Sequence, residues 1–338
     1  MKKSLVTGGT GFIGAHVVRK LVERGNDVTV LVRPWSNRSL IADMPVRFAV
    51  GDITDTETLE TAIKGIDEVY HIAADYRLWA RDPSEIYRNN VEGTRNVLEV
   101  SFRQGVEKIV YTSTVGCLGL PADGSEGNEQ TPVARNELVG HYKKSKYDAE
   151  QIAFDYAARG LPVVIVNPST PVGPGDIKPT PTGRIILDFL NGKMKAYVDT
   201  GLNLVAVEDV AEGHILASTR GRIGEKYVLG NRNMTLKELL DVLARLTGLP
   251  SPTVRIPHWV AITAAAFDVA TARMLGREPR IPLEGALMAR KKMFFSSQKA
   301  VQELGMPQSS IEDALARAVD WFEKNGYVRL KRRIGSSA

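Results

Sequence analysis

The stretch VTGGTGFIG, Val6 to Gly14, decides how the rest of the chain is read. It continues a short apolar run, KSLVTG, and opens a segment from Gly11 to Arg24. There Phe12, Ile13, Val17, Val18 and Leu21 fall on one helical stripe before Gly25 stops it. Gly8, Gly11 and Gly14 stand at G-x-x-G-x-x-G spacing, and Gly9, Gly11 and Gly14 also satisfy G-x-G-x-x-G. Glycines permit the tight turn, let the backbone approach a pyrophosphate and let the helix pack close to the strand. The helix N-terminus then offers free N–H groups and a positive dipole to the phosphates. A glycine match alone is weak; between a strand and a helix it becomes informative. The expectation is a dinucleotide-binding turn in which Gly8, Gly11, Phe12, Ile13 and Gly14 contact the cofactor.

Working outward, strand and helix patterns alternate. DVTVLVR and VRFAVGD read as strands, and Asp55 is placed to cap a helix running through Ile63. DEVYHIA is a strand, followed by a helix through NNVEGTRNVLEVSFRQG. VEKIVYTST, a long helix and LPVVIVNPS come next. Six strands separated by helices predict an α/β fold with a Rossmann-type, doubly wound parallel sheet and right-handed crossovers. After Pro168 the texture changes: NPSTPVGPGDIKPTPTG holds five prolines and three glycines and reads as loop. A strand near NLVAV, a helix through DVAEGHILAST, a strand EKYVLG and three further helices follow. The expected organisation is a nucleotide-binding domain over 1–168 with a returning segment at about 203–224. A smaller, discontinuous substrate lobe covers 169–202 and 225–328, and a basic tail covers 329–338.

Composition narrows the function classes. A chain of 338 residues, 43% hydrophobic and 25% charged, can bury a sizeable core. One cysteine, Cys117, excludes an intrachain disulfide framework and reads as apolar packing. Much of the net charge of +5 sits in RLKRRIGSSA, which reads as a solvated end. No nucleic-acid motif and no Cys/His metal cluster is present. VAITAAAFDVATARML, Val260 to Leu275, is too short and too interrupted by Asp268 and Arg273 to cross a bilayer. It reads as a buried helix or as one resting on a partner surface. The N-terminus lacks an apolar signal region, so the chain is expected to be cytoplasmic.

At the end of the second strand, Val32-Arg33-Pro34 stands where an acidic residue would bond the ribose of NAD. A cation there suits the 2′-phosphate of NADP, with Arg38 assisting. Alternatively Arg33 stacks on the adenine without discriminating, which leaves NAD open. Asp52 and Ile53 follow the third strand, where Asp52 is placed to bond the adenine amine. Ala73 and Ala74 end the fourth, where small side chains let a cofactor lie close. GHYKKSKYDAE raises a separate question. Tyr142 and Lys146 are four apart on one helical face, and so, in reverse order, are Lys143 and Tyr147. Spacing alone does not choose between them.

TGGTGFIG, HIAA, NVEGT, YTST, Tyr142-x-x-x-Lys146, NPSTPVGP, VEDVAEGH and SSQKAVQELG together resemble the extended short-chain dehydrogenase/reductase superfamily. The resemblance covers almost the whole chain and selects Tyr142 and Lys146. It implies a catalytic set of Thr114, Tyr142 and Lys146, with Ser113 as the one-residue alternative to Thr114. Tyr142 would exchange a proton with substrate, its phenolate favoured by the Lys146 ammonium and the nicotinamide. The resemblance also implies a structural role for Asn90 and cofactor contacts from Asn90, Thr112, Pro168, Ser169 and Thr170. A homodimer through the helices around Asn96 and Ala149 is implied as well.

Within the superfamily, HIAADYRLWA, PTPTGRII, YVDTGLNLVAVEDVAEGH and MARKKMFFSS are most similar to the hopanoid-associated sugar epimerase family, near the dihydroflavonol-reductase branch. That family's name implies a nucleotide sugar. Yet Leu202 stands where such epimerases usually carry a phosphate-clamping arginine. Lys178 and Arg184 are the alternative clamp, and Tyr76 and Trp79 are candidates to line the substrate pocket. Three readings stay open: a carbonyl reductase using NADP(H), a sugar epimerase or dehydratase, and a binding protein that has kept the fold.

Overall fold

The computed structural model describes residues 1–280 and 282–329. In chain order the elements begin β1 (Lys3–Thr7), α1 (Phe12–Glu23), β2 (Asp27–Val32), β3 (Arg47–Val50), α2 (Thr56–Ile63), β4 (Glu68–His71), α3 (Ser84–Tyr87), α4 (Gly93–Gln104) and β5 (Lys108–Thr112). They continue α5 (Gly140–Ala158), β6 (Val163–Pro168), β7 (Thr170–Val172), α6 (Pro181–Leu190), β8 (Ala196–Tyr197), β9 (Gly201–Ala206), α7 (Val207–Arg220), β10 (Lys226–Leu229) and β11 (Arg232–Thr235). The last are α8 (Leu236–Thr247), β12 (Val254–Arg255), α9 (His258–Met274), α10 (Leu283–Met288), β13 (Lys292–Met293) and α11 (Ile311–Lys324).

The main sheet is parallel, in the order β10-β6-β5-β4-β1-β2-β3. The chain starts at β1, moves out to β3, then returns to β4 on the other side. The order in which strands are added therefore reverses between β1 and β4, while all stay parallel, and the crevice at their carboxyl ends is where such sheets bind ligands. Each strand alternates its faces. Leu5 joins one core with Leu59, Ile63, Val97, Leu98 and Ile152 from α2, α4 and α5. Its neighbour Val6 joins the opposite core with Val17, Val18, Leu21, Val210 and Ile215 from α1 and α7. Each such fully buried side chain stabilises the fold by roughly 1.5–3 kcal/mol. Helix ends follow the sequence signals: Asp55 accepts hydrogen bonds from the N–H groups of Glu57 and Thr58 at the start of α2.

A second, four-stranded sheet joins β11, β9 and β13, with β7 pairing β9. Helices α6, α8 and α11 close over it through Phe189, Leu190, Leu240, Leu243, Leu315 and Phe322.

Three expectations shift. The main sheet gains β10, parallel to β6, so the returning segment runs to 229 rather than 224, and β9 leaves it for the second sheet. The proline-rich stretch is not all loop: it contains β7 and the start of α6. Pro181 suits the first helical position, where its missing N–H costs nothing, and Thr180 caps the helix through the N–H of Gly183. The apolar helix α9 is not buried: only Ala265 and Ala272 are fully covered. The expected basic tail lies, from 330 on, outside the described residues.

Candidate active site

The glycine loop bends at the carboxyl end of β1. Gly8 has φ +71°, and the Gly11 N–H donates to the Gly8 carbonyl at 3.0 Å. A side chain at Gly8 would stand 2.7 Å from the Ala73 nitrogen, so the end of β4 lies hard against the loop. A side chain at Gly14 would stand 2.1 Å from the Gly8 carbonyl oxygen. No side chain caps α1 at Gly11. Phe12 and Ile13 begin the helix and are half-buried. The N-terminus of α1 is thus free of any side-chain cap, and free N–H groups there favour an anion.

At the end of β2, Arg33 pairs with Asp52, Nε to Oδ2 at 2.7 Å. Burial opposes the Asp52 charge. Hydrogen bonds from Thr54 and the Arg33 guanidinium outweigh it and hold the carboxyl below its usual range. The two residues expected to read the adenosine thus sit together. Arg38 instead stacks on Phe48, 4.6 Å from the ring centroid. Ile53 is buried among α2 and α4, where a side chain on Gly93 would meet it at 2.6 Å. Ala73 is half-buried and Ala74 exposed.

The reacting end is built by β4, β5, β6 and α5. Asn90 is buried in a one-turn π-helix, Arg88–Glu92. Its side chain receives the Asp75 N–H at 2.7 Å and donates to the Asp75 carbonyl and the Ser145 hydroxyl, each at 2.9 Å. It ties α5 to the loop after β4, and such wide turns recur at functional sites. Lys146, one helical turn after Tyr142, is buried and donates to the Thr112 carbonyl at 2.7 Å. Burial pushes its ammonium down to about 8. The Thr112 hydroxyl is held by His214 at 2.9 Å, so this residue takes part through its carbonyl.

Thr114 is the hydroxyl that meets Tyr142. Ser113 is turned inward, its hydroxyl donating to the buried Glu150. The two hydroxyls thus diverge, because successive residues leaving a strand point to opposite sides. Burial weighs against the Tyr142 phenolate. Burial, then the Cys117 thiol, push its phenol above the ordinary value, and the Thr114 hydrogen bond only partly opposes them. In the protein alone burial thus favours the protonated phenol over the phenolate.

Pro168 ends β6, Ser169 bonds through its N–H to the Leu229 carbonyl at 3.0 Å, and Thr170 starts β7. The Ser169 hydroxyl is shut from water without a partner among the described residues. Such an orphan, at the carboxyl end of β6, fits a residue meant to bond a ligand. Toward the outer crevice, the Tyr76 hydroxyl donates to the Lys178 carbonyl at 3.3 Å, joining the loop after β4 to the proline-rich segment. Trp79 is half-buried, while Lys178 and Arg184 are exposed, Arg184 on α6 rather than in a loop.

Sequence reading missed several residues that hold this frame. His71 bridges Thr7 on β1 at 2.7 Å and Thr94 on α4 at 3.0 Å, fully buried. Glu150 gathers Ser113, Asn167 and Lys226. Asp176 is buried, its carboxyl pushed up to about 6 by burial while Thr180 donates to it twice. Only Glu150 carried a signal, a carboxylate one turn beyond Lys146 on the same face; the others needed partners distant in sequence.

A parallel sheet with a phosphate cradle at its switch point and a Thr–Tyr–Lys set beside it defines a nicotinamide-dependent enzyme. The NAD dependent epimerase/dehydratase family matches residues 4–230. The chain belongs to that family, within the extended short-chain dehydrogenases/reductases. A Synechocystis sp. protein provisionally named dihydroflavonol 4-reductase is 48% identical over 330 residues, 96% of this chain and 95% of that one. Sterol demethylase protein B of Methylococcus capsulatus is 34% identical over 96% of this chain and 99% of its own. Among solved structures, a nucleoside-diphosphate-sugar epimerase from Pseudomonas aeruginosa superimposes with a TM-score of 0.79 at 29% identity, over 97% of this chain and 99% of its own. The protein is an NAD(P)-dependent enzyme of the reductase/epimerase class.

Proposed function

We propose that the protein is an NADP(H)-dependent reductase of a carbonyl, or dehydrogenase of the matching secondary alcohol, on an apolar ring compound. What supports this reading is the Thr114 side chain beside the Tyr142 phenol, with Lys146 one turn further on α5 and anchored on the Thr112 carbonyl at 2.7 Å. In this reading both hydroxyls hold one substrate oxygen, and Tyr142 gives it a proton. NADP(H), bound in the glycine cradle, supplies or takes the hydride. Lys146, anchored on the Thr112 carbonyl, positions the nicotinamide ribose. Arg33 supports NADP over NAD: it stands just after β2 in place of a carboxylate, and its side chain is 40% exposed beside Asp52. The names of the two relatives support an apolar ring substrate. A homodimer through α4 and α5 is part of the reading. Phe102 on α4 is 38% exposed, whereas Ala149 packs inside the protomer, so the outward positions would make the contact.

The test is net oxidation of NADPH by the purified protein with a panel of cyclic ketones, run beside NADH. Ketone-dependent oxidation with NADPH preferred supports the reading. A cofactor that stays bound and is not consumed while a nucleotide sugar is interconverted sinks it. That outcome belongs to the second reading, a nucleotide-sugar epimerase or dehydratase associated with hopanoid formation. It is favoured by the exposed cations Lys178 and Arg184. Under it, K178A and R184A raise KM in a salt-sensitive way, because they replace the clamp absent at Leu202.

A further inference from the structure

One helix of the small lobe presents to water a face that water does not favour. α9 has 17 residues and only two fully charged side chains, Asp268 and Arg273. Its exposed positions Trp259, Thr263, Ala266, Phe267, Ala270 and Met274 follow at three- and four-residue spacing and so form one face. Trp259 is 69% exposed, Phe267 72% and Met274 86%, with Leu275 just beyond at 72%. Scattered apolar residues on a surface are ordinary; a continuous face about 25 Å long is an interaction site.

The charges around it say what covers it. From Arg255 to Lys292 the chain carries seven Lys or Arg and three carboxylates, a net charge of +4. Asp268 is taken by Arg277, and Asp199 by Arg255 and Lys292. Arg273, Arg280, Arg290 and Lys291 are exposed and form no ion pair among the described residues. They flank both ends of the helix. Arg273 and Arg280 sit at or beyond its C-terminus. Arg290 and Lys291 lie by its start, where His258 bonds the Ala289 carbonyl at 3.0 Å. A second copy docked by this face would set cations against cations whichever way the helices ran. An anionic surface meets all four. No described helix is long and apolar enough to cross a membrane, so the helix would lie on that surface, not in it end to end.

We propose that α9 is an interfacial helix that docks the protein on an anionic lipid bilayer. Trp259, Phe267 and Met274 enter the boundary between headgroups and acyl chains, and Arg273, Arg280, Arg290 and Lys291 pair with lipid phosphates. α9 packs on α10. Glu284 of α10 accepts the His141 N–H at 3.3 Å at the start of the helix carrying Tyr142, and Gly285 lies beside Leu78 of the loop after β4. The docked face therefore adjoins the substrate crevice. If the apolar substrate proposed above is correct, it passes from lipid to Tyr142 without crossing bulk water; docking itself does not depend on that reading.

The experiment is flotation of the full-length protein with vesicles of phosphatidylcholine alone, or with about a third phosphatidylglycerol, at low and high salt. Binding is expected only to the anionic vesicles and is weakened by salt. The double variant W259S/F267S, and separately R273Q/R280Q, should each reduce the bound fraction about tenfold or more. NADPH affinity and far-UV circular dichroism should stay unchanged, which separates lost docking from lost folding and from any failure of the proposed reaction. The proposal is overturned if the unmodified protein stays free of anionic vesicles. It is equally overturned if W259S/F267S binds them as well, since the basic C-terminal tail is retained and would then account for binding. Conversion of a dimer to a monomer by W259S/F267S in sedimentation would assign the face to a second copy and overturn it too.

Discussion

Tyr142 and Tyr147 lie five positions apart on α5, so about 140° of rotation separates them. The Thr114 side chain lowers the Tyr142 phenol against the rise that burial causes. Tyr142→Phe keeps the ring and removes the proton, so turnover should fall by about 10²–10⁴-fold with cofactor affinity nearly intact. Tyr147→Phe should stay within a few-fold of the unmodified enzyme; steady-state kinetics and cofactor titration of both variants check the assignment. The sequence spacing could not make this choice, and only the superfamily resemblance did. Arg33 is the second residue-scale test. A charge-assisted hydrogen bond to a 2′-phosphate is worth roughly 1.5–3 kcal/mol. The Arg33–Asp52 pair must be shared with that phosphate, which favours the lower figure. Arg33→Ala should weaken NADPH about tenfold and NADH little. Equal loss for both cofactors, read by fluorescence titration, would mean that Arg33 stacks on adenine without discriminating.

The glycine loop belongs to the scale of the element, because its strand, turn and helix work only as a unit. Gly14→Ala would put a methyl 2.1 Å from the Gly8 carbonyl oxygen and 2.8 Å from the Gly9 Cα, all backbone that cannot step aside. The helix must shift, at roughly 1–3 kcal/mol, and the cradle opens. NADP(H) affinity should fall more than about tenfold with helical content retained. Gly25→Ala is the control. Gly25 has φ +74° with open space around it, so the change should cost about 1 kcal/mol of stability through backbone strain, seen as a lower Tm, and leave cofactor affinity alone. These elements were legible because each signal is local: Asp55 sits three residues or fewer from the N–H groups that it caps, and the stripe on α1 repeats every turn. Strands β7, β8, β11, β12 and β13 were not legible. They have two to four residues each and owe their existence to partners such as β9, supplied from elsewhere in the chain.

Across the whole molecule, two buried histidines tie layers together: His71 joins β1, β4 and α4, and His214 joins α7 to Thr112 on β5. Burial pushes His71 down to about 3 and His214 down to about 4, against about 6.5 for a free imidazole. Both folded values lie below the unfolded one, so the unfolded chain takes up protons that the native state refuses. Their contribution is complete above about pH 6.5 and is lost as pH falls toward 4 and then 3, at about 1.4 kcal/mol per unit for each. Thermal unfolding should show Tm dropping steeply between about pH 6 and 4, and His214→Gln should flatten that drop while lowering Tm at neutral pH. The sequence by itself determined the parallel sheet, the glycine cradle, the placement of Asp55, Lys146 and Tyr142 on their elements, and the family. Periodicity, capping and loop spacing are short-range, and each residue carries its own part of them. Only the tertiary structure decided that Ser113 turns inward to Glu150, that Arg33 meets Asp52, that β10 completes the main sheet and that α9 stays uncovered. Those outcomes depend on which surfaces meet after the chain has folded. A hydrophobic helix reads the same in sequence whether or not a neighbour arrives to cover it.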